Sequence, residues 1–189
     1  ISKKKEKAVL HKPIRNVAEL LTEIESFHPH LHLCCLLTFG CLLRPHQEVR
    51  LLTWGDFNEA CTHIALSGQR NKSGRNRIVP IPEYVRPFLK SDGYNQKDNI
   101  FTGTDRPYNS DYFKTLWSRF KAQSSLLEPE QTLYSFRHTG AIQVFRQTGS
   151  IHALQTVMGH SNMQVTLGYL RGLEVPHISQ SQMPQLRIS

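Results

Sequence analysis

No stretch of the 189 residues approaches the roughly 18 to 20 consecutive apolar residues of a membrane-spanning helix. The run from Leu31 to Leu43 is too short and carries His32, so it reads as a buried core helix. A secretory leader pattern is lacking, as are internal repeats, low-complexity tracts and a basic amphipathic helix suited to a membrane surface. Cysteine is scarce, and Cys34, Cys35, Cys41 and Cys61 show no C-x-x-C or Cys/His zinc spacing. Three of the four lie in the apolar run, where free cysteine behaves as a small hydrophobe; a reducing, cytoplasmic setting is expected. His28, His30 and His32 alternate across a proline-containing turn without a carboxylate or cysteine partner, which argues against a metal site. Acidic triads are missing too, so no metal and no other cofactor is expected.

Positive charge is what the chain has. Twenty-three Lys and Arg against 15 Asp and Glu leave a net charge of +8, which points to a polyanionic partner. A hydrophobic fraction of 39% with 20% charged residues fits a globular domain long enough for one core. Residues 1–15 hold Lys3, Lys4, Lys5, Lys7, Lys12 and Arg15 against Glu6. They read as a basic segment, either a solvated terminus or a linker laid along DNA phosphates. The first residue is Ile1, and the expectation is an excised piece of a longer chain.

Local patterns predict a mostly helical α+β domain. Asn16 with Glu19 suggests a capping box before an amphipathic helix ending near Phe27. The apolar helix then runs to about Leu42, and Pro45 suits the first turn of a third helix closed by Trp54, Gly55 and Asp56. Thr62 to Leu66 alternate as a strand, N-K-S-G is a turn, and Arg75 to Ile81 form a second strand. In that strand Arg75 and Arg77 are expected on one face and Ile78 on the other. Arg70, Lys72, Arg75 and Arg77 make this hairpin too basic for solubility alone to explain. Glu83 to Lys90 read as a short helix. Tyr112, Phe113, Leu116, Trp117 and Phe120 read as the core face of another, with Lys114, Arg119 and Lys121 outside.

The stretch from Tyr134 to Tyr169 organises the rest. Arg137 follows Tyr134 by three residues, so both leave the same face of a helix. Gly159 reads as a helix stop before His160, Ser161 or Asn162 can cap the next helix, and that helix carries Tyr169. Arg44 at the end of a core helix needs a partner because its charge never leaves; Glu48 and a phosphate both qualify.

R-H-T at Arg137, then G-H ending at His160, then Tyr169 nine residues on resembles the catalytic end of the tyrosine recombinases, also called the phage-integrase family. The resemblance extends to L-L-R-P-H-Q-E-V-R-L-L-T-W-G-D-F, with Arg44, and to N-K-S-G-R-N-R-I-V-P-I-P, with Lys72. It covers residues 16 to 172 and sets the domain plan: a basic interdomain linker over 1–15, a catalytic domain over 16–172, and a tail over 173–189 that either docks on a neighbouring protomer or is disordered. The implied fold is a helical core with a small antiparallel sheet.

Implied site residues are Arg44, Lys72, Tyr134, Arg137, His160 and the nucleophile Tyr169, with Arg70, Arg75 and Arg77 as DNA-binding residues. Arginine forks and the histidine would stabilise charge on nonbridging phosphate oxygens, and Lys72 would protonate the departing 5′ oxygen. Two features depart from the family. Tyr134 stands where many relatives have histidine, and the supporting acid more often falls at Gln47's place than at Glu48's. Implied partners are double-stranded DNA, further protomers in a tetramer and accessory DNA-bending proteins, in a bacterial cytoplasm. The implied activity is site-specific strand exchange that integrates or excises a mobile element. Alternatives are topoisomerase-like strand relaxation of type IB and a DNA-binding module that has lost catalysis.

Overall fold

The computed structural model describes residues 11–70, 74–160, 163–170 and 180–184. Six α-helices lie among them: α1 (Val17–Phe27), α2 (Pro29–Gly40), α3 (Tyr112–Gln123), α4 (Leu133–Thr148), α5 (Ile151–Met158) and α6 (Met163–Tyr169). Strands β1 (His63–Leu66) and β2 (Arg77–Pro80) pair antiparallel, with Ile64 opposite Val79 and Leu66 opposite Arg77.

The apolar run makes α2 the central helix. Leu31, Cys34, Cys35 and Leu37 on α2 are fully buried, and burial pushes the thiols of Cys34 and Cys41 up, the latter to about 12. Helices α1, α3 and α4 all pack on α2. Leu20 and Ile24 of α1 are fully buried, the stripe that the 3.6-residue period predicts. Phe113, Leu116, Trp117 and Phe120 of α3 are buried as expected.

A second, smaller apolar cluster joins Leu42, Ala141, Leu154 and Met158. It seats α5 on α4, and α6 packs on both. Helix α5 also touches β2, so the last three helices and the hairpin meet at one place. At that place the chain turns twice with positive φ, at Leu42 (φ 56) and Gly159 (φ 67).

Several expected boundaries are revised. Asn16 caps α1 without a side-chain hydrogen bond, so the capping box does not form. Helix α2 stops at Gly40; Leu42 and Leu43 stay buried, but their backbone has left the helix. No α-helix starts at Pro45: turns are followed by short 3-10 segments at Val49–Leu51 and Trp54–Asp56. Glu83 to Lys90 hold only a 3-10 turn, Arg86–Phe88. Strand β2 is shorter than predicted; Arg77 and Ile78 do lie on opposite faces, but Arg77, expected to bind DNA, is the buried one, and Ile78 is 69% exposed.

The three alternating histidines have structural partners. His28 Nδ1 accepts from the His30 backbone N–H at 3.1 Å and so caps α2. His30 Nδ1 lies 2.8 Å from the Tyr112 hydroxyl, and buried His32 packs edge-on against Phe88. Residues 11–15 pack along α4's start. Lys12 Nζ pairs with Glu128 at 2.9 Å, and the Ile14 N–H donates to Thr139 Oγ1 at 2.9 Å. No helix among the described residues is long and apolar enough to cross a membrane.

Candidate active site

Arg137 begins one turn into α4, whose start is fixed where Ser135 Oγ accepts from the Thr132 N–H at 2.9 Å. Its side chain is wholly buried. Nε donates to the Leu42 carbonyl at 2.7 Å and Nη2 to the Met158 carbonyl at 3.1 Å. These two acceptors are carbonyl dipoles, which orient the guanidinium. The left-handed turn at Leu42 directs the first carbonyl. A non-glycine residue there costs on the order of 1 kcal/mol, offset in part by a charge-assisted hydrogen bond.

Arg44 lies two residues beyond that turn. Its Nη1 donates to Glu48 Oε1 at 2.7 Å, and its backbone N–H donates to Glu48 Oε2 at 3.0 Å. Glu48 is 2% exposed and has a second cationic partner, Arg77 of β2. Arg77 Nη1 reaches Oε1 at 3.1 Å and Nη2 reaches Oε2 at 2.7 Å. Burial alone would raise the Glu48 carboxyl, but the Arg77 and Arg44 charges and hydrogen bonds outweigh it and hold it below the usual range. The sequence named Glu48 as one of two partners for Arg44; its bidentate link to Arg77 was missed. Alternation along a four-residue strand is ambiguous by one residue, and one residue reverses the face.

His160 follows α5, which Ser150 Oγ caps by accepting from the Ala153 N–H and Gly159 ends in the left-handed conformation. It is 6% exposed. Nδ1 lies 3.0 Å from Thr166 Oγ1 on α6, one helical turn before position 169. Burial lowers its pKa to about 4, reinforced by the charges of Arg137, Arg44 and Arg77 and opposed by Glu48. The imidazole is therefore neutral at pH 7, and the Thr166 hydroxyl holds its Nδ1 edge in place. Thr166 was not singled out in the sequence, because a hydroxyl six residues from His160 carries no signal of its own.

Three guanidinium groups thus surround one neutral imidazole and one carboxylate, an excess of positive charge. A cleft of about 490 Å³ opens beside them between β2 and α5, lined among others by Arg75, Arg77, Gly159 and His160. Tyr134 is half-buried at the start of α4, between the rings of His11 (centroids 5.3 Å apart) and His46 (6.0 Å). His138 is half-buried, and burial followed by the nearby His11 lowers its pKa. Arg75 is exposed. Tyr169 ends α6, but its side chain, that of Arg70, and all of Lys72 lie outside the described residues.

Comparison with known proteins decides the family. The model of the Phage integrase family matches residues 13–174. The chain belongs to that family. It is 28% identical over 172 residues to tyrosine recombinase XerA of Thermococcus kodakarensis, covering 88% of this chain and 59% of the relative. A putative tyrosine recombinase XerC of Pseudomonas syringae is 28% identical over 119 residues, 57% of this chain and 25% of that protein. The chain thus spans only part of the length of these recombinases. Among solved structures, XerH bound to its difH substrate superposes with a TM-score of 0.66 at 15% identity, over 96% of this chain and 54% of the other. XerA recombinase gives 0.67 at 18% identity, over 95% and 64%. Those likenesses carry the fold: a helical core with a small antiparallel sheet, as in these tyrosine recombinases.

Proposed function

We propose that this chain is the catalytic domain of a site-specific DNA recombinase or integrase that cleaves and rejoins strands through a 3′-phosphotyrosyl link to Tyr169. The observation that carries this reading is the convergence of Arg44, Arg77 and Arg137 on a neutral, buried His160. Membership of the phage integrase family supports it.

Phosphodiester exchange gathers negative charge on the nonbridging oxygens, and preorganised cations in a water-poor site stabilise that charge most effectively. Arg44 and Arg137 supply forks that stay protonated, and His160 supplies a neutral N–H. The Tyr169 oxygen attacks phosphorus, and its proton passes to solvent. A phenol with an ordinary pKa of about 10 is helped to ionise by the same cationic cluster. The bond from phosphorus to the 5′ oxygen breaks, and Lys72 protonates the leaving oxygen. A 5′ hydroxyl from another strand reverses the step without ATP, because one ester replaces another. Tyr134 orients the phosphate or its neighbours, since a phenol is a poor base near neutral pH.

Duplex DNA is the partner, gripped by Arg70, Arg75 and the basic segment before residue 16. XerH in complex with its difH substrate supports that choice. In the complete protein, assembly into a tetramer with accessory bending proteins would serve integration or excision of a mobile element in a bacterial cytoplasm.

Strand transfer is the test. The chain is incubated with a pool of nicked duplexes of randomised sequence, then given acceptor strands with free 5′ hydroxyls. Joined product without ATP, unaffected by chelator, is expected. Binding without joining by any member of the pool would favour a DNA-binding module of the same fold, a reading supported by Tyr134 at the position of the family's histidine.

A further inference from the structure

We infer that Arg77 is a positioning residue: it grips Glu48 from behind and, through that carboxylate, fixes the fork of Arg44 that meets the phosphate. This rests on the strand-cleavage reading above. The basic composition of the hairpin suggested DNA contact for Arg77 as for Arg70 and Arg75. The geometry differs. Arg77 is 7% exposed, and both Nη groups are committed to Glu48 at 3.1 and 2.7 Å. Glu48 in turn holds Arg44 at two points, Nη1 and the backbone N–H.

The chain of contacts is directional because the burial is graded. The Arg44 side chain is 21% exposed, whereas those of Arg77 and Glu48 are 5% and 2% exposed. Of the two arginines on Glu48, Arg44 is the more accessible to a ligand, and the Arg77–Glu48 pair lies deeper. A buried carboxylate with one arginine would have lone pairs left over, and desolvation would press it to take a proton. With two arginines it stays ionised and rigid. The reverse also holds: removing either partner strands a buried charge, a far larger perturbation than removing both. Arg77 also touches the histidine's side of the site. A Cβ on Gly159 would come within 2.7 Å of Arg77 Nη1 and 2.9 Å of its Cδ. The same side chain therefore spaces β2 from the turn that presents His160, so Arg44 and His160 share one buried support.

The test compares Arg77→Met, Arg77→Lys, Glu48→Gln and the Arg77→Met/Glu48→Gln double variant with the unaltered 189-residue chain on the randomised nicked-duplex pool. Two quantities are read: single-turnover cleavage per folded molecule at saturating protein, and the slope of log affinity against log salt. Arg77→Met should slow cleavage by about 10²-fold, the loss that a misplacement near 1 Å brings, with the salt slope unchanged. Arg77→Lys keeps the charge but not the fork and should fall between. The double variant should be no slower than the slower single one. A slope reduced by about 0.9 would make Arg77 a direct phosphate ligand. Unchanged cleavage per folded molecule would reduce it to a strut of the fold, and additive losses would remove the route through Glu48; each overturns the inference. Should Arg77→Met not fold, the Arg77→Lys rate and slope decide by the same criteria. Absence of cleavage by the unaltered chain overturns the strand-cleavage reading and this inference together, whereas cleavage that ignores Arg77 overturns only the latter.

Discussion

Gly140 lies where α4 crosses α2, three residues after Arg137. A Cβ there would overlap the Phe39 carbonyl oxygen and stand 2.7 Å from Leu42 Cδ2 and 3.2 Å from the Phe39 carbonyl carbon. Gly140→Ala therefore sets two effects against each other. Inside a helix, alanine gains about 1 kcal/mol over glycine. Overpacking costs about 1 to 3 kcal/mol, and the upper part of that range applies because the obstacle is backbone in a helix and cannot swing aside. The net is a loss of about 1 to 2 kcal/mol, which lowers Tm by about 2 to 8 °C in a chain of this size. The displaced atoms also belong to the site, since the Leu42 carbonyl orients Arg137, so cleavage should fall more than stability does. Urea melts with a shared m-value measure the first effect, and cleavage per folded molecule the second. Gly149→Ala serves as the control: it has open space but φ 63, so it should cost about 1 kcal/mol through backbone strain alone and leave cleavage intact. A Gly140→Ala midpoint at or above that of the unaltered chain would refute the close-packing argument.

Acidification should weaken the fold early. His160 stays neutral in the folded state until about pH 4 but charges near 6.5 when unfolded, so its contribution is complete above 6.5 and is lost as pH falls from there toward 4. His32, His46 and His138 are lowered by burial in the same sense, and Glu48, held low, extends the loss further down; a urea midpoint that holds steady from pH 7.5 to 5 would contradict this. Thr166→Val keeps the shape of the side chain but leaves His160 Nδ1 without its hydroxyl, and should cost about 1 to 2 kcal/mol in chemical denaturation along with slower cleavage. Gly159→Ala meets both a positive φ and the Arg77 side chain; a loss of at least about 1 kcal/mol is expected, and a melt unchanged from the parent would count against the packing described around Arg77.

Much of this architecture was legible in the sequence because it rests on periodic signals. The stripes of α1 and α3, the apolar α2 and the glycine stop before His160 all depend on spacing within one element, which a linear chain records. The misses share a different cause. The apolar run continues past Gly40, so hydrophobicity alone extended α2 to Leu42, although the chain has already turned there to aim a carbonyl at Arg137. Arg77 reads as a DNA-binding residue in the sequence because its partner Glu48 lies 29 residues away, and no local pattern reveals that a charge has a buried counterpart. Thr166 became visible as a partner of His160 only once α6 was packed on α5. Arg44, Arg137 and His160, read as separate points along the chain, are brought to one cluster; the ring of Tyr134 packs against His11 and His46.

The central claim is that Tyr169 becomes covalently joined to DNA. The direct measurement is incubation of the chain with nicked suicide duplexes of randomised sequence, denaturing electrophoresis, and peptide mapping of any protein that remains attached to DNA. The account predicts a DNA-linked peptide containing Tyr169, with its phosphate at a 3′ end, and no such species from Tyr169→Phe. A link to a different residue, or an adduct undiminished in Tyr169→Phe, would contradict it.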